Sequence, residues 1–337
     1  MRKVLITPVT LADRQGHYLK VLQDAGFEPV FPDRPEQLTE EELLAVLPGV
    51  WATIAGSEPY TARVLERAAD LHVIARAGVG YDAVDLDAAN RFGVVVTIAP
   101  GTNHDAVAEH TFALMLALAK GVVRQHQAVV SGQWGRTPTM PLRGQTLGIV
   151  GLGRIGKAVA LRGKAFLMQV VAYETQPDEA FVRQHEIELL PLEEVLRRAD
   201  YVSLHVPLTP QTRHMIARHT LALMKPGAFL INTARGALVC EEDLYDALRS
   251  GHLAGAGLDV FEQEPCRHSP LFSLDNVVCT AHTAGVDQRS REEMSLAAAA
   301  SIVALAQGQW PEAHIVNPGV RAAFERRRRG GSPLPRP

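Results

Sequence analysis

Short apolar runs alternate along the chain with stretches whose apolar residues recur every three or four positions. Before residue 100 the strand-like runs are 4–6, 28–31, 52–55 and 73–75, and the helix-like stretches are 19–25, 40–47 and 62–69. Gly26 follows the first helix-like stretch, where a glycine is a typical stop signal. Regular alternation of strands and helices predicts a parallel sheet covered by helices.

The same alternation continues after residue 146 and predicts a second, larger sheet. Its strand-like runs are 147–150, 170–173, 201–205, 229–231, 257–260 and 277–280, and its helix-like stretches are 157–166, 195–198, 221–224 and 241–250. These runs are sufficient for a doubly wound sheet of six or seven strands. The predicted fold class is therefore α/β, with two doubly wound parallel-sheet domains.

The length of the chain, 337 residues, also predicts two domains, because it exceeds one ordinary compact core. Pro100-Gly101 marks a boundary, and an alanine-rich helix predicted over 289–307 would return the chain to the first domain. The expected division is a discontinuous domain of residues 1–100 and 286–318 around an inserted domain of residues 101–285. A cleft between domains would be a favoured ligand site.

Two further segments have unusual composition. Residues 107–120 are apolar over most of a helical circumference, so this helix must be buried in a core or against another subunit, and both readings remain open. From residue 319 the chain becomes basic, with arginines at 326–329 followed by glycine, serine and proline. Residues 319–337 are therefore predicted to form a disordered basic tail.

A Gly-x-Gly-x-x-Gly pattern lies between the strand-like run 147–150 and a helix-like stretch. It consists of Gly151, Leu152, Gly153, Arg154, Ile155 and Gly156. The first glycine would allow a tight turn, the second would admit a pyrophosphate, and the third would allow close helix–strand packing. The unpaired N–H groups and the dipole of the helix start would then bind the phosphates.

An acidic residue about twenty positions further on supports a dinucleotide site. The strand-like run 170–173 ends at Glu174. A carboxylate at that point would accept hydrogen bonds from ribose hydroxyls and would repel the additional phosphate of NADP. The predicted cofactor is therefore NAD.

Composition and charge narrow the possible functions. The chain is 47% hydrophobic and 21% charged, as is typical of soluble proteins, and its formal charge of −3 predicts no general attraction to nucleic acid or acidic membranes. The longest apolar block, 112–119, is far shorter than the ~20 residues that cross a bilayer. Cys240, Cys266 and Cys279 have no paired spacing, which favours the cytoplasm.

Several side chains that could carry chemistry follow predicted strands, at the sheet edge where ligands bind. Arg235 could hold a carboxylate by two parallel hydrogen bonds. His282 could exchange a proton with a carbonyl oxygen while a hydride reaches the carbon. Glu264 could fix the tautomer of that histidine, and Asp259 ends the preceding strand. This set suits a hydride-transfer enzyme that acts on a small oxoacid.

In these motifs the chain resembles the D-isomer-specific 2-hydroxyacid dehydrogenases, which include 3-phosphoglycerate dehydrogenase, glyoxylate and hydroxypyruvate reductases and D-lactate dehydrogenase. The resemblance extends over roughly residues 3–317. The matching stretches are 76–82, 106–111, 147–156, 205–209, 232–236 and 258–261, together with Glu264-Pro265, His282 and Gly285.

The resemblance implies a Rossmann NAD domain inserted into a flavodoxin-like substrate domain, with pairing of two copies through the NAD domain as a homodimer. It implies that Arg235 binds the substrate carboxylate, that His282 is the acid/base and that Glu264 orients it. The implied substrate contacts are Arg76, Val79, Gly80, Arg235 and His282, while Asn103 could contact a ligand or cap the following helix. The implied cofactor contacts are Gly151, Gly153, Arg154, Ile155, Gly156, Glu174, His205, Val206, Pro207, Thr209, Thr233, Ala234, Arg235, Asp259, His282 and Gly285, with Asp259 approaching the nicotinamide carboxamide.

Some positions depart from the family pattern. Ala281 replaces a proline that commonly precedes the histidine, and Cys240 replaces an acid, but neither position supplies a reacting group. Ala55 stands where phosphoglycerate enzymes have a phosphate-binding arginine, whereas Arg76 matches their second one. Arg76 and the character of the first domain favour phosphoglycerate as substrate, Ala55 weakens this reading, and glyoxylate or hydroxypyruvate reduction is the alternative.

A hypothesis from another functional class is that the protein is an NAD(H)-sensing binding protein, similar to transcriptional corepressors that resemble the same family. The complete set of Arg235, Glu264 and His282 favours an enzyme. No metal is expected, because the pairs His214 with His219 and Cys266 with His268 belong to no recognisable ligand set. No nucleic-acid or membrane partner is expected, and the direction of the reaction in the cell remains open.

Overall fold

The computed structural model describes residues 1–33 and 36–330. The chain divides into two compact units, of which unit 1 comprises Met1–Asn103 with Val286–Pro337 and unit 2 comprises His104–Gly285. Each unit is built on one sheet, of five strands in unit 1 and seven in unit 2, and all strand pairs are parallel. The predicted α/β class with two parallel sheets is therefore confirmed.

The sheet of unit 1 has the strand order β2-β1-β3-β4-β5. Its strands are β1 (Arg2–Ile6), β2 (Phe27–Val30), β3 (Val50–Ala55), β4 (Val73–Arg76) and β5 (Val95–Thr97), with helices α1 (His17–Asp24), α2 (Glu40–Val46), α3 (Ala62–Arg67) and α4 (Leu86–Phe92) between them. Every residue of β3 is buried, because helices cover both faces of a central parallel strand.

Local side-chain chemistry sets the helix boundaries. The Thr39 hydroxyl accepts a hydrogen bond from the Glu42 N–H, and the Glu42 carboxylate accepts one from the Thr39 N–H, so that a capping box begins α2. The Asp85 carboxylate caps α4 by accepting from the Ala88 N–H at 2.9 Å. That helix ends at Gly93, whose φ of 68° is the left-handed conformation that glycine adopts readily.

The sheet of unit 2 has the order β12-β11-β10-β9-β6-β7-β8. Its strands are β6 (Thr146–Val150), β7 (Gln169–Tyr173), β8 (Glu188–Leu189), β9 (Tyr201–Leu204), β10 (Phe229–Asn232), β11 (Gly255–Leu258) and β12 (Val277–Cys279). Its helices are α5 (His104–Lys120), α6 (Val122–Val130), α7 (Arg154–Ala165), α8 (Glu179–Gln184), α9 (Leu192–Arg198), α10 (Arg218–Leu221) and α11 (Glu241–Arg249). The strand order reverses at β6, which creates the crevice where doubly wound sheets bind ligands.

Helix α5 belongs to the core of unit 2. It packs against α7 and against β10, β11 and β12, and the Phe112 ring stacks on Phe166 with ring centroids 5.1 Å apart. Of the two positions predicted for this helix, the core position accounts for its apolar circumference. No single helix among the described residues is long and apolar enough to span a membrane; α5 and α6 meet those criteria only together, and they are bent by 57°.

Two carboxy-terminal helices, α12 (Gln288–Ala306) and α13 (Arg321–Arg328), belong to unit 1. Helix α12 begins at Asp287, whose carboxylate accepts from the Ser290 N–H, and it packs against α1, β3 and β4. The long helix predicted over 289–307 is therefore present, and it completes the core of unit 1.

The prediction of disorder from residue 319 is wrong as far as residue 330, because α13 forms and buries Phe324 and Arg327. The Arg327 guanidinium donates to the backbone carbonyls of Leu71 (2.7 Å) and Phe92 (2.8 Å), and also to that of Ala69. One member of the arginine run is thus an anchor that satisfies carbonyl groups of unit 1. The rest of the predicted tail, 331–337, lies outside the described residues.

We expect Arg327→Met to lower the free energy of unfolding by about 2–4 kcal/mol, because buried carbonyl groups lose their donors. The matched control Arg329→Met alters an exposed side chain of the same run and should change stability by less than about 0.5 kcal/mol. Urea denaturation followed by circular dichroism measures both values. Equal stability of the two variants would contradict the anchoring role.

Candidate active site

The glycine loop connects β6 to α7, and two of its glycines leave no room for a side chain. Gly151 has a φ of 97°, and a methyl group on it would lie 2.8 Å from the backbone of His205. A methyl group on Gly156 would lie 2.0 Å from the Gly151 carbonyl oxygen. By contrast, a methyl group on Gly153 would meet no atom within 4 Å, so open space adjoins the start of α7. This arrangement fits the pyrophosphate of NAD, which needs close access to backbone N–H groups.

Glu174 joins the end of β7 to the glycine loop. One carboxylate oxygen accepts from the Leu152 N–H at 2.7 Å, and the other accepts from the N–H groups of Thr175 (2.8 Å) and Gln176 (3.0 Å). Partial burial raises the pKa of Glu174, but these N–H groups outweigh burial and hold it below its ordinary value. The acid predicted to select NAD is therefore held ionised beside the loop.

His205 follows β9 and closes the other side of the loop. Its Nε2 lies 2.8 Å from Ser203 Oγ, and burial lowers the pKa of His205 to about 3, so the ring is neutral. After Val206 and Pro207, Thr209 shapes the next turn, where its N–H donates to Thr212 Oγ1 at 2.8 Å. These predicted cofactor residues thus lie in the segment that follows β9, and the first two, His205 and Val206, lie against Gly151.

Glu264 and His282 form a hydrogen-bonded pair. Glu264 Oε2 lies 2.6 Å from His282 Nδ1, while Oε1 accepts from the Phe261 N–H at 3.0 Å. Because the carboxylate accepts, Nδ1 carries the proton, and Nε2 is the nitrogen that can exchange a proton with a ligand. His282 has a φ of 53°, its backbone N–H donates to the Asp259 carbonyl at 2.7 Å, and its side chain is 41% exposed.

The loop of Arg235 follows β10 and packs on the segment that leads to Glu264. Asn232 shapes this loop by donating from Nδ2 to the Arg235 carbonyl (2.8 Å) and accepting from the Ala234 N–H (3.0 Å). A methyl group on Gly236 would lie only 1.8 Å from the Phe261 carbonyl carbon, so the two backbones are in direct contact. The structure therefore brings the loops that carry Arg235 and Glu264 together within unit 2.

Asp259 is fully buried, and its carboxylate organises the loop of His282. One oxygen accepts from Thr280 Oγ1 (2.6 Å) and the Thr283 N–H (2.9 Å), and the other accepts from the Ala284 N–H (2.8 Å). The resemblance implied a nicotinamide contact for Asp259. In the structure both of its oxygens accept hydrogen bonds from the segment that ends at the predicted Gly285, and the nicotinamide contact stays a prediction.

Two residues without a predicted role, His110 and Thr111, link α5 to these loops. His110 Nε2 lies 2.8 Å from Thr280 Oγ1, and Thr111 Oγ1 lies 3.0 Å from Oγ1 of the predicted cofactor residue Thr233. The signal available in the sequence was that His110 and Thr111 are polar residues within the mostly apolar stretch 107–120. Its meaning depended on knowing which strand ends the helix packs against.

The predicted substrate residues Arg76, Val79, Gly80 and Asn103 belong to unit 1. Arg76 Nε donates to the Gly80 carbonyl at 2.8 Å, so it shapes the loop that contains the two predicted backbone contacts. Glu58, which had no predicted role, is buried near Arg76. Among residues 1–33 and 36–330, no group of three His, Cys, Asp or Glu side chains is arranged to hold a metal ion.

Comparison with known proteins identifies the family. A model of the D-isomer specific 2-hydroxyacid dehydrogenase, NAD binding domain, matches residues 112–284. The D-3-phosphoglycerate dehydrogenase of Methanocaldococcus jannaschii is 38% identical over 321 residues, which cover 94% of this chain and 60% of that protein. The chain belongs to the D-isomer specific 2-hydroxyacid dehydrogenases.

The chain is also similar to another relative and to a solved structure. The glyoxylate reductase of Thermococcus litoralis is 44% identical over 269 residues, covering 76% of this chain and 80% of the relative. The crystal structure of the TT0316 protein from Thermus thermophilus has a TM-score of 0.83 at 40% identity and covers 93% of this chain and 99% of that one. The chain spans 60% of the length of the M. jannaschii dehydrogenase. The family and the NAD cofactor predicted from the motifs are confirmed.

Substitutions in the glycine loop separate cofactor access from folding. We expect Gly153→Ala to weaken NADH binding about tenfold with little change in melting temperature, because the methyl group would stand where the pyrophosphate approaches. Gly156→Ala should lower both the NADH affinity and the melting temperature, because its methyl group collides with Gly151. NADH fluorescence titration and thermal melts measure these effects, with Gly319→Ala as a control in open space. Unchanged NADH affinity in Gly153→Ala would refute the assignment of the loop.

Proposed function

We propose that this dehydrogenase is an NAD-dependent oxidoreductase that acts at carbon 2 of a small 2-hydroxy or 2-oxo carboxylate. The observation that carries the proposal is the 2.6 Å contact between Glu264 and His282, in the same unit as the glycine loop. A paired carboxylate and imidazole at strand ends is the arrangement required for proton exchange at a carbonyl oxygen. NAD supplies hydride transfer at its nicotinamide.

His282 is the proposed acid/base and Glu264 its orienting partner. During reduction His282 donates the Nε2 proton to the oxygen of the 2-oxo group, which becomes the hydroxyl of the product as carbon 2 gains a hydride. Glu264 holds the Nδ1 proton throughout and stabilises the doubly protonated ring before the transfer. In the oxidation direction the neutral ring accepts the hydroxyl proton at Nε2.

Arg235 is the proposed carboxylate-binding residue of unit 2, because its planar guanidinium can form two parallel hydrogen bonds with a carboxylate. Its Nη1 donates to the Ala234 carbonyl at 2.6 Å, a contact that orients the side chain from its own loop. In unit 1 the backbone N–H groups of Val79 and Gly80 are proposed substrate contacts, and the Arg76 bond to the Gly80 carbonyl holds their loop.

The charges of unit 1 favour an unphosphorylated substrate. Ala55 supplies no cation, and the buried Glu58 carboxyl lies close enough to Arg76 for that guanidinium to lower its pKa, although burial has the larger effect and raises it. A phosphate at this point would meet one cation, Arg76, beside a buried carboxyl group, and no cation at position 55. In the sequence, Arg76 and the character of the first domain favoured phosphoglycerate, and Ala55 weakened that reading. With Glu58 buried near Arg76, we propose glyoxylate or hydroxypyruvate.

The decisive experiment is NADH oxidation with glyoxylate, hydroxypyruvate, pyruvate and 3-phosphohydroxypyruvate. We expect an unphosphorylated oxoacid to give a kcat/KM at least about tenfold above that of the phosphorylated one. The kcat/KM with NADH should exceed that with NADPH, because Glu174 would repel the additional phosphate of NADPH. His282→Asn should lower kcat about 10²–10⁴-fold while NADH affinity stays within about twofold. His219→Asn, an exposed residue of α10, serves as the control.

Wild-type turnover by His282→Asn would exclude the proposed acid/base. Tight NADH binding without turnover of any oxoacid would instead favour the sensor class, because such a protein needs the cofactor site and no chemistry.

A homodimer is proposed through the exposed apolar side chains of α6 and of the segment after it, which are Val122, Val123, Val129, Val130 and Trp134. These side chains are 45–79% exposed, and exposed large apolar side chains that lie close together in the chain are typical of an interaction surface. In sedimentation experiments, the chain of 36.6 kDa should therefore show about twice that mass. Trp134→Lys should shift the protein towards the monomer. Val9→Lys, which changes an exposed residue of unit 1, should not. A monomeric wild type at micromolar concentration would contradict the proposal.

A cytoplasmic location is also proposed. The three cysteines are free in the structure, and disulfide-free proteins are typical of reducing compartments. Recovery of the protein in a secreted or membrane fraction would contradict this.

A further inference from the structure

Helix α5 presents two adjacent polar side chains to two different loops of unit 2. His110 contacts Thr280, two residues before His282, and Thr111 contacts Thr233, two residues before Arg235. Eight of the seventeen residues of the helix are buried, and the Thr111 side chain is fully buried. Both polar contacts are therefore made from one rigid element.

The hydroxyl of Thr280 determines the direction of the first contact. Thr280 Oγ1 lies 2.6 Å from Asp259 Oδ1, and because a carboxylate only accepts, the single hydroxyl proton points to Asp259. His110 Nε2, 2.8 Å from the same oxygen, must then donate its own proton. His110 thus donates to Thr280, and Thr280 donates to Asp259. These directions require a proton on Nε2 of His110.

The second contact has a fixed direction for the same reason. Thr111 Oγ1 donates its proton to the Val107 carbonyl at 2.8 Å, one turn earlier on α5. Oγ1 of Thr111 can therefore only accept from Thr233, at 3.0 Å. The hydroxyl of Thr233 is consequently turned towards α5.

We propose that His110 and Thr111 are positioning residues that hold, from one buried helix, the loops carrying His282 and Arg235. The inference rests on the proposed function, because it assigns those loops to proton exchange and carboxylate binding. His110 acts on the proton-exchanging side chain through Thr280 and the Asp259 carboxylate, which also accepts from the Thr283 and Ala284 N–H groups. Thr111 acts on carboxylate binding through the loop that starts at Thr233.

The two positions should therefore alter different kinetic constants. A displacement of about 1 Å at a reacting group can cost about 10²-fold in rate, so loss of the His110 donor should mainly lower kcat. Loss of the Thr111 acceptor should mainly raise KM for the oxoacid, because the loop of Arg235 binds the substrate carboxylate. Neither side chain hydrogen-bonds to the glycine loop or to Glu174, which are expected to hold the pyrophosphate and the ribose, so NADH affinity should change by no more than about twofold.

The test compares His110→Leu, which removes the donor, with His110→Gln, whose amide nitrogen can still donate to Thr280. We expect His110→Leu to lower kcat for oxoacid reduction at least about tenfold, His110→Gln to stay within about threefold of wild type, and both to bind NADH within about twofold of wild type. Thr111→Val should raise the oxoacid KM about fivefold or more with kcat within about twofold. His219→Leu, exposed on α10, is the matched control.

Coupling with Thr280 provides a readout that a general loss of stability would not give. Thr280→Val should lower kcat as His110→Leu does, Thr280→Ser should retain activity, and His110→Leu with Thr280→Val should be no worse than the poorer single variant. If His110→Leu fails to fold, the Thr280 pair decides in its place.

Wild-type kcat in His110→Leu or Thr280→Val, or multiplied losses in the double variant, would overturn the positioning role and leave the proposed function standing. Equal effects of the His110 and Thr111 substitutions on kcat and KM would also overturn it. A wild-type protein that reduces no 2-oxoacid would overturn both.

Discussion

The parallel arrangement of the seven-stranded sheet is the constraint on which the site of unit 2 depends. Because every strand runs in the same direction, the segments that follow β6, β9, β10, β11 and β12 all emerge at one edge. Residues as distant in the chain as Gly151 and His282 thereby share that edge. No contact between neighbours in sequence could assemble such a set.

Backbone hydrogen bonds to buried and partly buried carboxylates then determine the shape of individual loops. Asp259 accepts from the segment of His282, Glu264 accepts from Phe261 as well as from the histidine, and Glu174 accepts from the glycine loop. An ionised carboxylate is costly to bury without donors, and here each one is surrounded by N–H or O–H groups. The acids of this unit thus serve the geometry of the loops in addition to any contact with ligands.

The sequence predicted much of this site, because its motifs combine residue types with local structure. The pattern at Gly151, Gly153 and Gly156 has steric causes that act within a few residues, and the pairing of Glu264 with His282 followed from chemistry that needs both groups. The burial of Glu58 beside Arg76 was not predictable, since an acid in a loop is usually solvated. The anchor formed by Arg327 was missed for a similar reason, because an arginine run indicates disorder until carbonyl groups from distant segments accept its protons.

The sequence by itself determined the α/β class, the cofactor and the residue types of the proposed chemistry, because periodicity, glycine spacing and strand-end position are local properties of the chain. The tertiary structure alone decided which way each hydroxyl and imidazole donates, that Asp259 faces the loop of His282, and that His110 and Thr111 hold two loops from one helix. The contacts of His110 and Thr111 join residues 170 and 122 positions apart in the chain. Packing between such distant segments has no signature in any short stretch of sequence.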